Sequence, residues 1–396
     1  MKKIVLLAFV LVLLVSTSSS HMLATTEAPP TQWNKGYTEL HGTGNCVIQT
    51  NDGGYAIAGG VSDGKFLLVK ASSTGDVQWW KTYQDGEAYS IVQTSDGGYA
   101  LAGSGTLFNF VKTDSAGNMQ WNKTFSKSGV PFLAKSLIQT SDGGYALAGW
   151  TSEWDWTIKT DSNGNMQWNR TYGTERTQSF VTSVVEADDG GYALTGNDML
   201  IKIDSSGNVQ WNRTYEFVNS LVKTKDSGYL LVGSAVVGSA WLVKTDSQGN
   251  IQWTNKYGIN GTMNFNVFSS AVQTRDGGYV VAGATYPIWD GLAWIVKTSA
   301  SGNMEWNATY EPVKGSNSIA NWIIETNDGR YVFTGSKGVG RGYTEPGDVW
   351  LVKIATTIPE PFPLTWIVAV IAIIAIGVAF LVYFRKVKKT TEKAEK

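Results

Sequence analysis

Hydrophobic and polar positions follow one pattern that recurs along the chain. Short runs rich in β-branched and aromatic residues alternate with turns built from Asp, Asn and Gly; over residues 135–172 the runs are 135–140, 145–151, 156–160 and 166–172. Runs of this length bounded by Gly and Asn predict β-strands. A 3.6-residue period, which would indicate a helix, is seen only in the two apolar ends. The pattern therefore predicts an all-β fold of four-stranded units.

Self-comparison shows seven copies of one repeat, spaced by about 46 residues. Each copy has an Asp, a Tyr three residues later and a Gly seven residues later, and a Lys follows on the third strand. Asp-Gly-Gly suits a tight hairpin, because Gly accepts a positive φ and Asp can bond to the backbone of its own turn. We expect the Lys to pair with Asp or with carbonyl groups, or to lie exposed on its strand. The seven Asp residues are Asp52, Asp96, Asp142, Asp189, Asp226, Asp276 and Asp328.

A Trp marks the fourth strand of the repeat, where we expect it to fill the space between neighbouring units. It stands at Trp33, Trp79, Trp121, Trp168, Trp211, Trp253 and Trp306. Units of this kind are typical of β-propellers. The seventh copy stops after its third strand, and the missing fourth strand is found at residues 31–37. We therefore predict a seven-bladed β-propeller over residues 31–355, closed by an N-terminal strand that removes the exposed edges.

The two apolar ends predict an exported and anchored protein. Lys2 and Lys3 precede an apolar run at 4–15 and small residues at 16–24, which is typical of a signal peptide over residues 1–24. Residues 364–384 carry no charge and are long enough to cross a bilayer as a transmembrane helix. A Pro-rich stalk (356–363) precedes this span, and a basic cytoplasmic tail (385–396) follows it. We expect a single-pass membrane protein with an extracellular propeller.

Charge and composition exclude several classes of function. The tail contributes +4, and Lys2 and Lys3 contribute +2, to a total of −1, which leaves −7 for residues 4–384. A mildly acidic ectodomain argues against nucleic acid as a partner. One cysteine, Cys46, rules out an intramolecular disulfide, and two histidines, His21 and His41, leave little material for a zinc site or a Ser-His-Asp triad. We expect a monomer.

The string Lys159-Thr160-Asp161-x-x-Gly164-x-x-x-Trp168 resembles the Trp-docking repeat of quinoprotein (PQQ-dependent) dehydrogenase propellers. The resemblance covers most units and implies a shared scaffold in which the Trp wedges between blades. Those enzymes usually have eight blades and a calcium site beside the quinone, whereas this chain has seven copies, so we expect no PQQ. The hairpin also looks like the Asp-box of sialidases, and the stalk resembles the approach to the membrane anchors of archaeal surface proteins.

Loop residues that break the repeat are the candidates for ligand binding. Trp beside carboxylates suits sugar rings, through stacking and hydrogen bonds to hydroxyl groups. The alternative is that these Trp residues pack their own loops and that Asp155 is a turn residue. The candidates are Trp154, Asp155, Trp289, Asp290, Arg341, Tyr343 and Glu345.

Catalysis, metal binding and glycosylation remain open on the sequence. Glu153, Asp290 and Glu345 could supply the two carboxylates of a glycosidase, but no catalytic residue can be assigned. Loop carboxylates could converge on Ca²⁺, although no EF-hand spacing is present, so we assign no metal and no cofactor. Five Asn-x-Ser/Thr strings are candidate glycosylation sites in an exported protein. They begin at Asn122, Asn169, Asn212, Asn260 and Asn307.

These observations favour a cell-surface, membrane-anchored propeller used for binding or adhesion. The expected ligand is a carbohydrate or another surface protein. Two alternatives are an extracellular carbohydrate-active enzyme on the same scaffold and a structural cell-envelope protein. The fold alone does not choose among functions, so the sequence leaves enzymatic activity open. Between the two, we favour a non-enzymatic role.

Overall fold

The architecture was examined in a computed structural model, which describes most of residues 28–355. The described ranges are 28–105, 108–126, 133–151, 155–172, 180–196, 198–215, 217–234, 238–258, 265–286, 291–310, 317–339 and 347–355. These residues form an all-β propeller of 27 strands. The strands belong to six antiparallel sheets.

Five of the sheets are blades of four strands each. The first blade contains β5 (Glu87–Gln93), β6 (Tyr99–Ser104), β7 (Phe108–Thr113) and β8 (Met119–Phe125). The second contains β9 (Leu133–Gln139), β10 (Tyr145–Trp150), β11 (Asp155–Thr160) and β12 (Met166–Tyr172). The third contains β13 (Ser183–Glu186), β14 (Tyr192–Gly196), β15 (Met199–Ile203) and β16 (Val209–Thr214). The fourth contains β17 (Val218–Lys223), β18 (Tyr229–Ser234), β19 (Ala240–Thr245) and β20 (Ile251–Tyr257). The fifth contains β21 (Phe265–Gln273), β22 (Tyr279–Tyr286), β23 (Leu292–Thr298) and β24 (Met304–Tyr310).

The sixth sheet, which we call the closing sheet, has seven strands. Their order is β25-β26-β27-β1-β2-β3-β4. The strands are β1 (Thr31–Gln49), β2 (Tyr55–Val61), β3 (Lys65–Ala71), β4 (Val77–Asp85), β25 (Asn317–Glu325), β26 (Tyr331–Val339) and β27 (Asp348–Ile354). The first part of β1 pairs with β27, with Trp33 opposite Lys353. Its second part pairs with β2, from Gly42 opposite Val61 to Gln49 opposite Tyr55.

The predicted fold class is therefore corrected in two respects. Five separate four-stranded blades are present instead of seven, because β1 joins the strands of the first and last repeat units in one closing sheet. The fold consists of strands alone, and no helix in the described ranges is long and apolar enough to cross a membrane. The predicted signal peptide (1–24), stalk (356–363), transmembrane helix (364–384) and tail (385–396) lie outside the described residues.

The hairpin between the first two strands of each unit is held by its Asp. In the β9–β10 hairpin, Asp142 Oδ1 accepts hydrogen bonds from Gly144 N at 3.0 Å and Thr140 Oγ1 at 2.5 Å, and Gly143 has a φ of 82°. Lys159 reaches back from β11 and places Nζ 2.7 Å from Asp142 Oδ2. The expected pairing of repeat Lys with repeat Asp is confirmed in all seven units, at N–O distances of 2.7 to 3.0 Å.

Neighbouring repeat units contact each other through the repeat Trp residues. Each Trp ring meets the Tyr that begins the second strand of the next unit. The ring centroids are 5.8 Å apart for Trp33 and Tyr55 and 6.1 Å apart for Trp168 and Tyr192. The Trp also lies against a turn Gly of that next unit: a Cβ added to Gly207 would lie 3.1 Å from the Trp168 ring. The hydrophobic core is therefore divided among the interfaces between successive sheets, as in the cluster of Phe110, Leu137 and Tyr145.

Candidate functional site

The first strand of each unit carries an irregularity at one position. In six units a β-bulge leaves one residue without a partner on the second strand, and in the remaining unit Thr182 precedes β13 at the same place. A bulge bends its strand and re-aims the extra side chain. We call these seven residues the bulge positions. They are Asn45, Tyr89, Lys135, Thr182, Asn219, Ser269 and Asn321.

The Gly that every repeat keeps seven residues after its Asp lies on the second strand beside this irregularity. A Cβ at Gly149 would lie 1.8 Å from the carbonyl oxygen of Leu133, and one at Gly103 would lie 1.9 Å from that of Glu87. The longest of these seven distances, from a Cβ at Gly196 to the carbonyl oxygen of Phe180, would still be only 2.7 Å. A side chain there would force the backbone apart, so the Gly signal in the sequence reports this close approach of the first strand.

The bulge positions line one cavity of about 270 Å³. All of its lining residues lie on, or at the start of, the first strands of the seven units. They are Asn45, Tyr89, Lys135, Ser136, Thr182, Ser183, Asn219, Ser220, Val267, Ser269, Asn321 and Trp322. The cavity is smaller than the roughly 300–1,000 Å³ pockets that hold drug-sized ligands, so a ligand inside it has to be small.

Several bulge side chains connect one first strand to the next. Asn219 Nδ2 donates a hydrogen bond to Phe268 O at 2.8 Å, and Asn321 Nδ2 donates to Gly44 O at 3.0 Å. Asn45 Nδ2 donates to Ala88 O at 2.9 Å and to Glu87 Oε1 at 2.8 Å. These bonds hold the amide groups in fixed orientations around the cavity.

In six units the residue after the bulge position is a small one, which can support the neighbouring strand; in the remaining unit it is Trp322. Ser136 Oγ accepts a hydrogen bond from Val184 N at 3.2 Å. Cys46 occupies the same place, and its thiol bonds to the backbone of Ile91. Complete burial raises the pKa of the Cys46 thiol to about 12, so the group stays protonated at neutral pH. Cys46 is a buried free cysteine.

Lys135 is the one charged residue among the described residues that line the cavity. Its Nζ lies 3.9 Å from the centroid of the Tyr89 ring, a distance that allows a cation–π interaction. Tyr89 OH donates a hydrogen bond to Glu87 Oε2 at 3.1 Å and accepts one from Ser104 Oγ at 3.4 Å. Glu87 is thus bonded to Tyr89 and Asn45, while Lys135 forms no ion pair with any residue in the described ranges.

The surroundings of this group shift two pKa values. Partial desolvation lowers the pKa of Lys135, whose side chain is exposed as a whole, and the negative charge of Glu87 acts in the opposite direction. Burial and the charge of Glu87 together raise the pKa of Tyr89 to about 12. At neutral pH Tyr89 is therefore in its neutral form beside Lys135.

One residue of the predicted ligand site, Asp155, lies in the described ranges. It begins β11, is buried, and accepts a hydrogen bond from Val181 N through Oδ1 at 3.1 Å. It does not line the cavity. The other six, Trp154, Trp289, Asp290, Arg341, Tyr343 and Glu345, lie outside the described residues, so that predicted surface stays a prediction.

The candidate glycosylation sites lie mostly on exposed fourth strands. Asn169 and Asn307 are exposed, and their Oδ1 atoms accept hydrogen bonds from Trp156 Nε1 and Trp294 Nε1, each at 3.2 Å. Asn212 is exposed and Asn122 half-buried, while Asn260 lies outside the described residues. Modification of these sites stays a prediction.

Sequence reasoning missed the central cavity, although a signal for it exists. Around each bulge position the repeat is nearly constant, with a small residue after it and the same Gly on the second strand. The bulge positions themselves carry Asn, Tyr, Lys, Thr and Ser. A variable polar position inside a constant repeat marks a place where packing does not dictate the residue.

Comparison with known proteins extends to the fold. No protein-family description matches the sequence, and no curated protein is similar to it. Among solved structures, the WD40 domain of Neurospora crassa Pan2 matches with a TM-score of 0.58 and 10% identity, over 84% of this chain and 97% of that one. A streptogramin B lyase matches with a TM-score of 0.57 and 11% identity, over 83% of this chain and 100% of that one.

BamB from Moraxella catarrhalis is also similar, with a TM-score of 0.50 and 12% identity, over 79% of this chain and 84% of that one. Identities this low show the fold alone. The comparisons therefore support a β-propeller repeat protein, and the predicted likeness to PQQ-type propellers is confirmed at this level.

Proposed function

We propose that this protein is an extracellular binding propeller that takes a small carbohydrate into its central cavity. The observation that carries the proposal is the convergence of seven variable polar residues, one from each repeat unit, on that cavity. Fixed amides and hydroxyl groups are suited to the hydroxyl groups of a sugar, and Tyr89 and Trp322 add aromatic surface. The extracellular location rests on the sequence pattern of residues 1–24.

The cavity favours binding over glycoside hydrolysis. A glycosidase needs two carboxyl groups about 5 to 9.5 Å apart across the scissile bond. The described residues that line the cavity include no Asp and no Glu, and the nearby Glu87 is engaged by Asn45 and Tyr89. The amide, hydroxyl and aromatic groups that line the cavity are therefore suited to binding a sugar and not to hydrolysing it.

The test is a screen of the purified full-length protein against neutral and acidic mono- and oligosaccharides, followed by calorimetry on any ligand found. Ser269→Trp should abolish binding by filling the cavity, whereas Ser115→Trp, in an exposed turn, should leave binding unchanged. Undiminished binding by a folded Ser269→Trp variant, or no binding of any saccharide to the wild-type protein, would contradict the proposal.

A further inference from the structure

Lys135 differs from the buried repeat lysines of the propeller. Each repeat Lys on a third strand is buried and has an Asp within 3.0 Å; Lys159 and Asp142 are an example at 2.7 Å. Lys135 instead is exposed on β9, lines the cavity and contacts the ring of Tyr89. It forms no ion pair with a residue in the described ranges, so its ammonium group is available at the cavity to attract an anion.

The nearby carboxylate does not neutralise Lys135. Glu87 directs its two oxygens to Asn45 Nδ2, at 2.8 Å, and to Tyr89 OH, at 3.1 Å. These two bonds fix the Tyr89 ring so that its face meets Lys135 Nζ. Tyr89 thus supports the ammonium group from one side, at a cavity that Lys135 itself lines.

From this geometry we infer that the cavity selects a small sugar acid and that Lys135 binds its anionic group. The inference rests on the proposed function, because the hydroxyl groups of the sugar would occupy the amide-lined remainder of the cavity. One ammonium group matches a single negative charge, as on a carboxylate or a sulfate ester. A phosphate monoester would bring nearly two negative charges to one cation beside Glu87, so it should bind more weakly.

The experiment compares D-glucuronate with D-glucose by calorimetry on the full-length protein. Lys135→Met keeps most of the side-chain volume and removes the charge. It should weaken glucuronate binding by about tenfold or more, as expected for the loss of a hydrogen bond to a charged group, and change glucose binding less than about twofold. Lys135→Arg should restore most of the glucuronate affinity, and Lys256→Met, at an exposed position on β20, should have no effect.

A pH series adds a second readout. The ammonium form of Lys135 is the one that binds an anion, and its pKa lies below the ordinary value. Glucuronate affinity should therefore fall as the pH rises from 7 to 10, while glucose affinity stays nearly constant. Tyr89 and Glu87 are the other titratable groups at this part of the cavity.

The outcomes separate this inference from the proposed function. Equal losses for both sugars in Lys135→Met, or none for either, would overturn the role of Lys135 while carbohydrate binding stands. Glucose 6-phosphate binding more tightly than glucose 6-sulfate and glucuronate would overturn the preference for a single charge. Binding of acetate but of no sugar would support an anion site at Lys135 and contradict the carbohydrate proposal.

Discussion

Two regions of each repeat unit differ sharply in how much they vary. The hairpins and the contacts between units use the same residues throughout, with an Asp–Lys ion pair in all seven units and a Trp ring against the next Tyr. The bulge positions on the first strands carry five different residue types. A position that every unit must fill in the same way serves the scaffold, whereas one that is free to differ can serve a ligand.

One exception among the scaffold contacts shows how the chain ends affect the pattern. The Tyr that ends a fourth strand donates its hydroxyl to the turn Gly of the next unit, as Tyr172 does to Gly207 O at 3.0 Å and Tyr257 to Gly302 O. The equivalent hydroxyl of Tyr310 is buried and has no hydrogen-bond partner among the described residues. The next unit there takes its third and fourth strands, β27 and β1, from opposite ends of the chain, so it has no such turn.

Deletion of residues 31–37 should have the largest effect on the scaffold. It removes the pairing of β1 with β27, the Trp33–Tyr55 contact and the hydrogen bond from Tyr37 OH to Gly75 O. Loss of one large buried aromatic residue alone costs about 3 to 5 kcal/mol, so we expect the whole propeller to unfold at a much lower temperature. Calorimetry should show one transition moved downward; an unchanged melting temperature would contradict the closing role of β1.

Acid should weaken the hairpins of all units together. Burial acts to raise the pKa of Asp142, but hydrogen bonds from Lys159, Thr140 and Gly144 outweigh it and lower the pKa to about 2. The pKa values of Asp52 and Asp96 are likewise about 2. Because the unfolded pKa is about 3.9, this stability is complete only above about pH 5 and is lost progressively as the pH falls through the folded pKa of about 2. Equal melting temperatures at pH 5 and pH 2 would exclude this contribution.

A single hairpin can be broken with a matched control. Asp142→Ala leaves Lys159, whose side chain is 4% exposed, without its counter-charge. We expect a loss of about 3 kcal/mol, at the low end of the range for a broken buried ion pair, because Asp142 itself is half-exposed. Asp63→Ala removes an exposed pair with Lys65 and should leave the denaturant midpoint nearly unchanged. Similar effects from both variants would show that burial of the repeat Lys does not matter.

The smallest effect is expected at a bulge position. Ser269 has no hydrogen-bond partner in the described part of the chain, so Ser269→Ala should change the free energy of unfolding by less than about 0.5 kcal/mol. Asn219→Ala loses the bond to Phe268 O and should cost about 1 kcal/mol. Urea denaturation of both variants tests this; a loss of several kcal/mol at Ser269 would place that position in the scaffold and blur the distinction between the two regions.

Most of the local structure could be predicted from the amino-acid pattern. The strands expected at 135–140, 145–151, 156–160 and 166–172 are present with ends shifted by no more than two residues. The blade count could not be predicted, because it depends on where a strand is interrupted. Gly86, which has a φ of 134°, interrupts the extended backbone between β4 and β5. No residue from 38 to 42 has a positive φ, so β1 continues from one repeat unit into the next.

The residues around the candidate site likewise fall into those that could be predicted from the sequence and those that could not. Asp142, Lys159 and Trp168 could be assigned to the scaffold from repetition alone, since each residue meets a need that recurs in every unit. The cavity could not be located, because the bulge positions are separated by about 46 residues in sequence and adjoin one another only after the first strands gather around one centre. The sequence by itself determined the strands, their hairpins and the contacts between units, which depend on short-range patterns. The tertiary structure alone decided which seven side chains share a cavity and that Lys135 forms no ion pair there with a described residue, because both depend on distances between residues far apart in the chain.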